Sequence, residues 1–162
     1  MNKNPEAKSF SERGGWWVLA QFPLLIIAYL VPLWFGRQVS LEQLDFVSGA
    51  GLILLGAGIL QSAAGVVALG RVLTPFPCPV DHGELRTSGA YSLVRHPIYS
   101  GILFMALGWS LYRFSIPGVV VDVLLFVFFD RKAAREEQWL IERFPAYAAY
   151  RQRVRKLIPG IY

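Results

Sequence analysis

Residues 46–69, FVSGAGLILLGAGILQSAAGVVAL, carry no Asp, Glu, Lys or Arg over a length that can cross a hydrocarbon layer. Their glycines recur at Gly51, Gly58 and Gly65, shadowed one position earlier by Ala50, Ala57 and Ala64. That interval keeps small residues on one helical face. In lipid such a face lets two helix backbones approach closely, so the stretch reads as a membrane helix packed against a neighbour, with Gln61 and Ser62 turned toward protein.

Upstream, residues 16–35 form a second apolar span with Trp16, Trp17 and Trp34 near its ends, where amphipathic rings favour the interface. Pro23 and Pro32 are expected to kink it or shorten its regular part. Downstream, a third span covers 98–112 with Pro97 in its first turn. A fourth covers 116–129 with Ser115 as N-cap and Pro117 in the first turn. These last two hold about 15 apolar residues each, roughly 22 Å of helix against about 30 Å of hydrocarbon. Either the fourth helix runs on past Asp130 into its charged extension, or the hairpin leaves a recess at the membrane surface. The expected fold is all-α: one integral membrane bundle over 1–162, with about four transmembrane helices and a C-terminal helical segment.

Composition agrees, since 54% hydrophobic and 17% charged residues exclude an ordinary soluble domain. The net charge of +5 comes from basic residues flanking apolar spans, which points to anionic lipid headgroups and away from nucleic acid. One cysteine, Cys78, and two histidines leave little for a disulfide or a zinc site. Residues 1–15 are polar, and no cleavable signal peptide is expected. Of the 16 Lys and Arg residues, only Arg37 and Arg113 fall on the face opposite the N-terminal tail, the 70–95 loop and the segment after Phe129. By the positive-inside rule both termini are expected in the cytoplasm. Nothing in the sequence fixes the oligomeric state.

Two polar corners then stand out. The first is GAYSLVRHPIYSG, residues 89–101, where a polar loop becomes an apolar helix with Arg95 and His96 on the boundary. The second begins at Arg135-Glu136-Glu137 and continues through Tyr147, Tyr150 and Arg153 to Leu157-Ile158-Pro159. A helical hairpin returns both corners to one level, and the 70–95 loop, rich in proline and polar residues, is long enough to cover something.

RHPIYSG followed by REEQWLIERF and YAAYRQRVRKLIP resembles the isoprenylcysteine carboxyl methyltransferase and phospholipid methyltransferase family, over roughly residues 69–159. The resemblance implies methyl transfer from S-adenosylmethionine at the cytoplasmic side, on a lipid-like or prenylated acceptor, with the cofactor-binding part at about 85–159. It implies cofactor contacts from Tyr91, His96, Tyr99, Gly101, Glu136 and Glu137. Pro159 belongs to the same pocket or its scaffold, and Arg95 and Arg153 are the candidates for a catalytic part.

The residue chemistry is compatible. The cofactor presents an ammonium, a sulfonium, a ribose diol and a carboxylate; Glu136 and Glu137 supply acceptors, while Arg95 and His96 supply donors. Adjacent helical residues point about 100° apart, so the two glutamates are expected to serve different groups. Gly101 leaves room for adenosine or for a neighbouring helix. The competing reading is a solvated surface: Lys132 and Glu136 as an exposed i,i+4 pair, Tyr147 and Tyr150 as interfacial anchors, and Arg151, Arg153, Arg155 and Lys156 as a headgroup patch. Asp122, inside the fourth span, marks either a functional group or a hydrogen-bonded packing contact.

A carboxylate acceptor needs no general base, and none is obvious in the sequence. The acceptor is expected to enter sideways from the bilayer through a groove lined by Phe104, Met105, Leu125 and Phe128. Two other classes remain: an NADPH-dependent membrane reductase, which needs more Arg or Lys for a 2′-phosphate, and a non-catalytic membrane scaffold.

Overall fold

The computed structural model describes residues 9–40, 44–70, 73–78 and 85–162. The described residues form six helices: α1 Gly15–Phe35, α2 Phe46–Leu69, α3 Ala90–Leu93, α4 Pro97–Tyr112, α5 Ile116–Arg143 and α6 Tyr147–Arg153. The chain is an all-α membrane helical bundle. Both α1 and α2 are long and apolar enough to cross a bilayer, and α4 is a shorter apolar helix.

Local chemistry sets the helix ends. The Asp45 carboxylate accepts from Ser48 N at 2.9 Å to cap α2, and Ser115 Oγ accepts from Gly118 N at 3.1 Å to cap α5. Pro97 opens α4, where its missing N–H costs nothing. Pro23 and Pro32 lie inside α1 without shortening it, because the helix runs unbroken to Phe35. The fourth span does not stop at Asp130. It continues as one 28-residue helix, roughly 42 Å long, and carries the charged REE run out of the apolar layer on a rigid shaft.

α2 packs on α4 through the glycine face. A Cβ at Gly58 would lie 2.5 Å from Gly101 O, and one at Gly51 would lie 2.5 Å from Tyr112 N. Gly108 returns the contact, with Gly51 O at 2.6 Å. The two backbones therefore touch directly, the geometry that small residues permit in lipid. Gln61 donates to Ser100 Oγ at 2.9 Å and Ser62 Oγ to Ile98 O at 3.2 Å, so these two polar groups of α2 do face protein.

The remaining core is made of side chains. Ala28 of α1 and Leu125 and Phe129 of α5 form its buried centre, flanked by Leu24, Tyr99, Ile102 and Phe128. At the end of the bundle away from the REE run, buried Arg113 donates to Leu33 O at 2.9 Å and to Pro32 O at 3.4 Å, so a cation closes the C-terminus of α1. Arg37 pairs with Asp45 at 3.0 Å beside it. Both basic residues on this face thus have local partners.

Candidate active site

The two polar corners meet. After α3, Val94 forms an isolated parallel bridge with Arg155, Arg95 N donates to Arg155 O at 2.7 Å, and His96 N donates to Lys156 O at 3.2 Å. Backbone pairing thus fixes the RHP segment against the C-terminal segment before any side chain is considered. Tyr150 OH adds a bond to Tyr91 O from α6. Tyr147 and Tyr150 are 1% and 3% exposed, which removes the competing reading of them as interfacial anchors and makes them buried wedges from α6 into this corner.

On that frame the adjacent glutamates separate. Glu137 turns inward: its Oε1 accepts from Arg95 Nε at 2.8 Å and lies 3.1 Å from His96 Nε2, while Arg151 Nε approaches Oε2 at 3.4 Å. Burial alone would raise its pKa, but the hydrogen bond and charge of His96, followed by those of Arg95, outweigh burial and hold it at about 2. Arg95 Nη1 donates to the carbonyls of Val154 and Arg151. The Arg95–Glu137 pair is therefore the buckle of the corner.

Glu136 turns the other way, into a cleft of about 310 Å³ bounded by α1, α2, α4, α5 and residues 73–75. Tyr99 OH donates to Glu136 Oε2 at 2.9 Å, and His96 Nδ1 lies 3.7 Å from the same oxygen. The His96 and Tyr99 rings stack with centroids 5.6 Å apart. Tyr91 also lines the cleft; burial, with the Glu136 charge behind it, raises its phenol well above the usual range. Ile98, Ile102 and Phe129 form the apolar wall. Leu73, Thr74 and Pro75, from the loop expected to cover something, close one side.

Of the predicted site residues, Tyr91, His96, Tyr99 and Glu136 share this cleft. Glu137 and Arg95 lie behind it, on a larger, open basin of about 430 Å³ that Arg151, Arg155 and Lys156 also line. Glu137 is the basin's one acidic side chain among the described residues, and it is already paired with Arg95 and Arg151, so the basin offers positive potential but no uncommitted carboxylate side chain. Gly101 lies in the α2–α4 seam, where an added Cβ would meet Ser62 Oγ at 2.2 Å, so its bareness makes room for a helix. Pro159 and Arg153 are exposed on the C-terminal segment and line neither cavity. The headgroup patch is also partly spent, since Lys156 pairs with Asp130.

Sequence reasoning missed Lys132 and Gln21. Lys132 is 1% exposed and borders the cleft, which removes the competing reading of it as half of an exposed pair with Glu136. Its Nζ donates to Gln21 Oε1 of α1 at 2.5 Å and to Pro75 O at 3.3 Å. A signal was present: Leu125, Phe129, Lys132 and Glu136 follow one another at helical spacing, so the buried stripe of α5 runs straight into the charged extension.

A separate apolar groove of about 180 Å³ lies between α4 and α5, lined by Phe104, Leu107, Asp122 and Phe126 among others and closed by Leu157 and Ile158. Phe104 is where the lateral groove was expected. Leu125 and Phe128 belong instead to the core, and Met105 fills the space opposite Gly58. Asp122 is 6% exposed, and neither of its oxygens has a hydrogen-bond partner among the described residues.

Helices of membrane length thus bring a carboxylate, a histidine and two tyrosines into one cleft at the polar end of a membrane helical bundle. Residues 46–146 match the phospholipid methyltransferase family. The chain is 29% identical over 126 residues to protein-S-isoprenylcysteine O-methyltransferase B of Arabidopsis thaliana, covering 75% of this chain and 64% of that protein. It is 33% identical over 126 residues to the probable protein-S-isoprenylcysteine O-methyltransferase of Oryza sativa subsp. japonica, covering 75% and 66%. The protein-S-isoprenylcysteine O-methyltransferase of Schizosaccharomyces pombe is 34% identical over 118 residues, covering 70% and 49%. The chain thus spans just under two thirds of the length of the plant relatives and about half of the yeast one. With well over half of its residues matched, this chain belongs to the phospholipid methyltransferase family.

Proposed function

We propose that the protein is an S-adenosylmethionine-dependent methyltransferase that works at the membrane surface on a lipid-like or prenylated acceptor. The observation that carries this reading is the cleft: a carboxylate, Glu136, anchored by Tyr99 and His96 but not neutralised by an ion pair with Arg or Lys among the described residues, faces a cavity with one apolar wall. The cofactor needs such an acceptor for its ammonium or ribose hydroxyls and a flat apolar surface for its base, and both are present. Bound there, S-adenosylmethionine supplies a methyl group on a sulfonium, transferable to an acceptor lone pair with the C–S electron pair remaining on sulfur.

This chain's residues then have separate tasks. Glu136, with Tyr91 and His96 beside it, holds the charged part of the cofactor. Ile98, Ile102 and Phe129 exclude water from the reacting end. Glu137 and Arg95 touch neither reactant and lock the RHP corner in place, a positioning task in which 1 Å matters. The cofactor arrives from the aqueous end of α5 and the acceptor from the apolar end, with the cytoplasm as the aqueous side. The names of the relatives favour a prenylated cysteine as acceptor over a phospholipid amine.

Calorimetry of the detergent-solubilised protein with S-adenosylhomocysteine tests the reading, with binding near one equivalent expected. Absence of binding at millimolar ligand, in protein shown to be folded, overturns it.

A further inference from the structure

Asp122 is the one polar residue lining the groove between α4 and α5. Its side chain is buried, both carboxylate oxygens lack a hydrogen bond among the described residues, and no salt bridge among them reaches it. The Ser110 hydroxyl beside it is buried and equally unpaired. Arg113, the buried cation at this end of the bundle, is already engaged with the carbonyls of Pro32 and Leu33 and with Gln38.

A carboxylate held without a counter-charge in the apolar half of a membrane helix is costly, and such a residue marks a site by default. Water is a poor answer here. A trapped water takes about two to four polar partners, whereas this groove presents Asp122 on an otherwise apolar lining. The groove is also open to lipid, since Val123 on its edge is 58% exposed, while Leu157 and Ile158 close its far end.

We propose that this groove is a binding site for a long-chain primary amine taken from the bilayer, with its ammonium on Asp122 and its first carbons along Phe104 and Phe126. Charge, donor count, depth and size support it. An ammonium brings the positive charge that the carboxylate lacks and three N–H donors for the unpaired oxygens. A hydroxyl would supply a donor without the charge, and a quaternary ammonium the charge without a donor. Asp122 is the seventh residue of α5, about 9 Å along the helix from Ile116, and the groove continues from it toward Leu157. An amphiphile lying there keeps its head toward the nearer membrane surface and its tail toward the bilayer centre. At about 180 Å³ the groove takes the amino group and a short alkyl stretch, on the scale of the roughly 150 Å³ cavity that accommodates benzene.

The site is separate from the Glu136 cleft and does not depend on the methyltransferase reading. The two are nonetheless joined by backbone. Leu157 and Ile158 directly follow Arg155 and Lys156, whose carbonyls hold Arg95 N and His96 N. An occupied groove therefore pins the segment that frames the RHP corner, and binding should stabilise the whole protein.

The test uses detergent-solubilised protein with dodecylamine, dodecanol and dodecyltrimethylammonium, read by native mass spectrometry and thermal unfolding. Wild type should bind one dodecylamine, about tenfold or more tightly than either analogue, with a raised unfolding midpoint. Asp122→Asn, which keeps the side chain's size, should remove this preference and the midpoint shift. Leu107→Trp should block binding by filling the groove with Asp122 intact. Equal binding of the three amphiphiles by wild type overturns the proposal whether or not either variant folds. An equal dodecylamine shift in wild type and Asp122→Asn overturns it by assigning the effect to the micelle. Absence of dodecylamine binding to folded wild type overturns it as well, and leaves Asp122 a packing contact.

Discussion

Arg95 Nε and Glu137 Oε1 lie 2.8 Å apart across 42 positions of sequence, with side chains 9% and 4% exposed. Removing one partner of a buried pair leaves the other charge stranded, at a typical cost of about 3–5 kcal/mol. Glu137→Gln should therefore lower stability markedly in a detergent unfolding assay, and any loss of cofactor binding should track the unfolded fraction. An unchanged unfolding midpoint would show that the pair does not secure the corner.

The same carboxylate predicts an acid limit. Its folded pKa of about 2 lies below the ordinary glutamate value of 4.5, so the stability it contributes is complete above about pH 4.5 and is lost as pH falls toward 2. Between those pH values wild type should lose stability more steeply than Glu137→Gln, measured as unfolding midpoint against pH.

Glu136→Gln should behave in the opposite way. Its side chain is 27% exposed in the cleft, so the fold should tolerate the change. Losing a charged hydrogen bond typically costs about 1.5–3 kcal/mol, so S-adenosylhomocysteine binding should weaken by roughly tenfold or more. Titration calorimetry on folded protein reads this directly, and an affinity within twofold of wild type would remove Glu136 from the site.

Glycine substitutions should rank by what each side chain would meet. Gly56 faces open space, Gly65 meets the side chain of Ile98 at 2.9 Å, and Gly58 meets the backbone oxygen of Gly101 at 2.5 Å. Gly56→Ala should be near neutral. Gly65→Ala should cost about 1–3 kcal/mol as overpacking that a side chain can partly relieve, and Gly58→Ala should cost the most. Thermal unfolding in detergent gives the order, and a tolerated Gly58→Ala would contradict the backbone contact.

Orientation can be checked with an impermeant thiol reagent in sealed vesicles. A cysteine introduced at Arg37 should react only from the non-cytoplasmic side. Reaction only from the cytoplasm would invert the proposed topology.

The span ends were legible because hydropathy, Pro97, Ser115 and the glycine interval all act locally. The direction of the two glutamates was half legible: the 100° offset required that they diverge, but only the backbone pairing of Val94 with Arg155 decides which one faces Arg95. Gly101 carried two readings that sequence could not separate, since a bare Cα serves a ligand or a helix equally well. Lys132 was hidden by its type, because a lysine one turn from a glutamate on a polar run usually faces water, and here the loop at Pro75 folds over it. Tyr147 and Tyr150 were hidden similarly, being buried by the returning α6 and not by lipid.

The α2–α4 seam has a consequence for motion. Where Gly58 meets Gly101 and Gly51 meets Gly108, main chain touches main chain, leaving little slack for sliding. These two helices must move as one block. α1, by contrast, meets the cleft and the core through side chains such as Gln21, Leu24 and Trp17, which can repack. For the proposed entry of a lipid-like acceptor from the bilayer, the breathing therefore falls to α1 against a fixed wall, and the Gln21–Lys132 contact is the latch that such a motion must release.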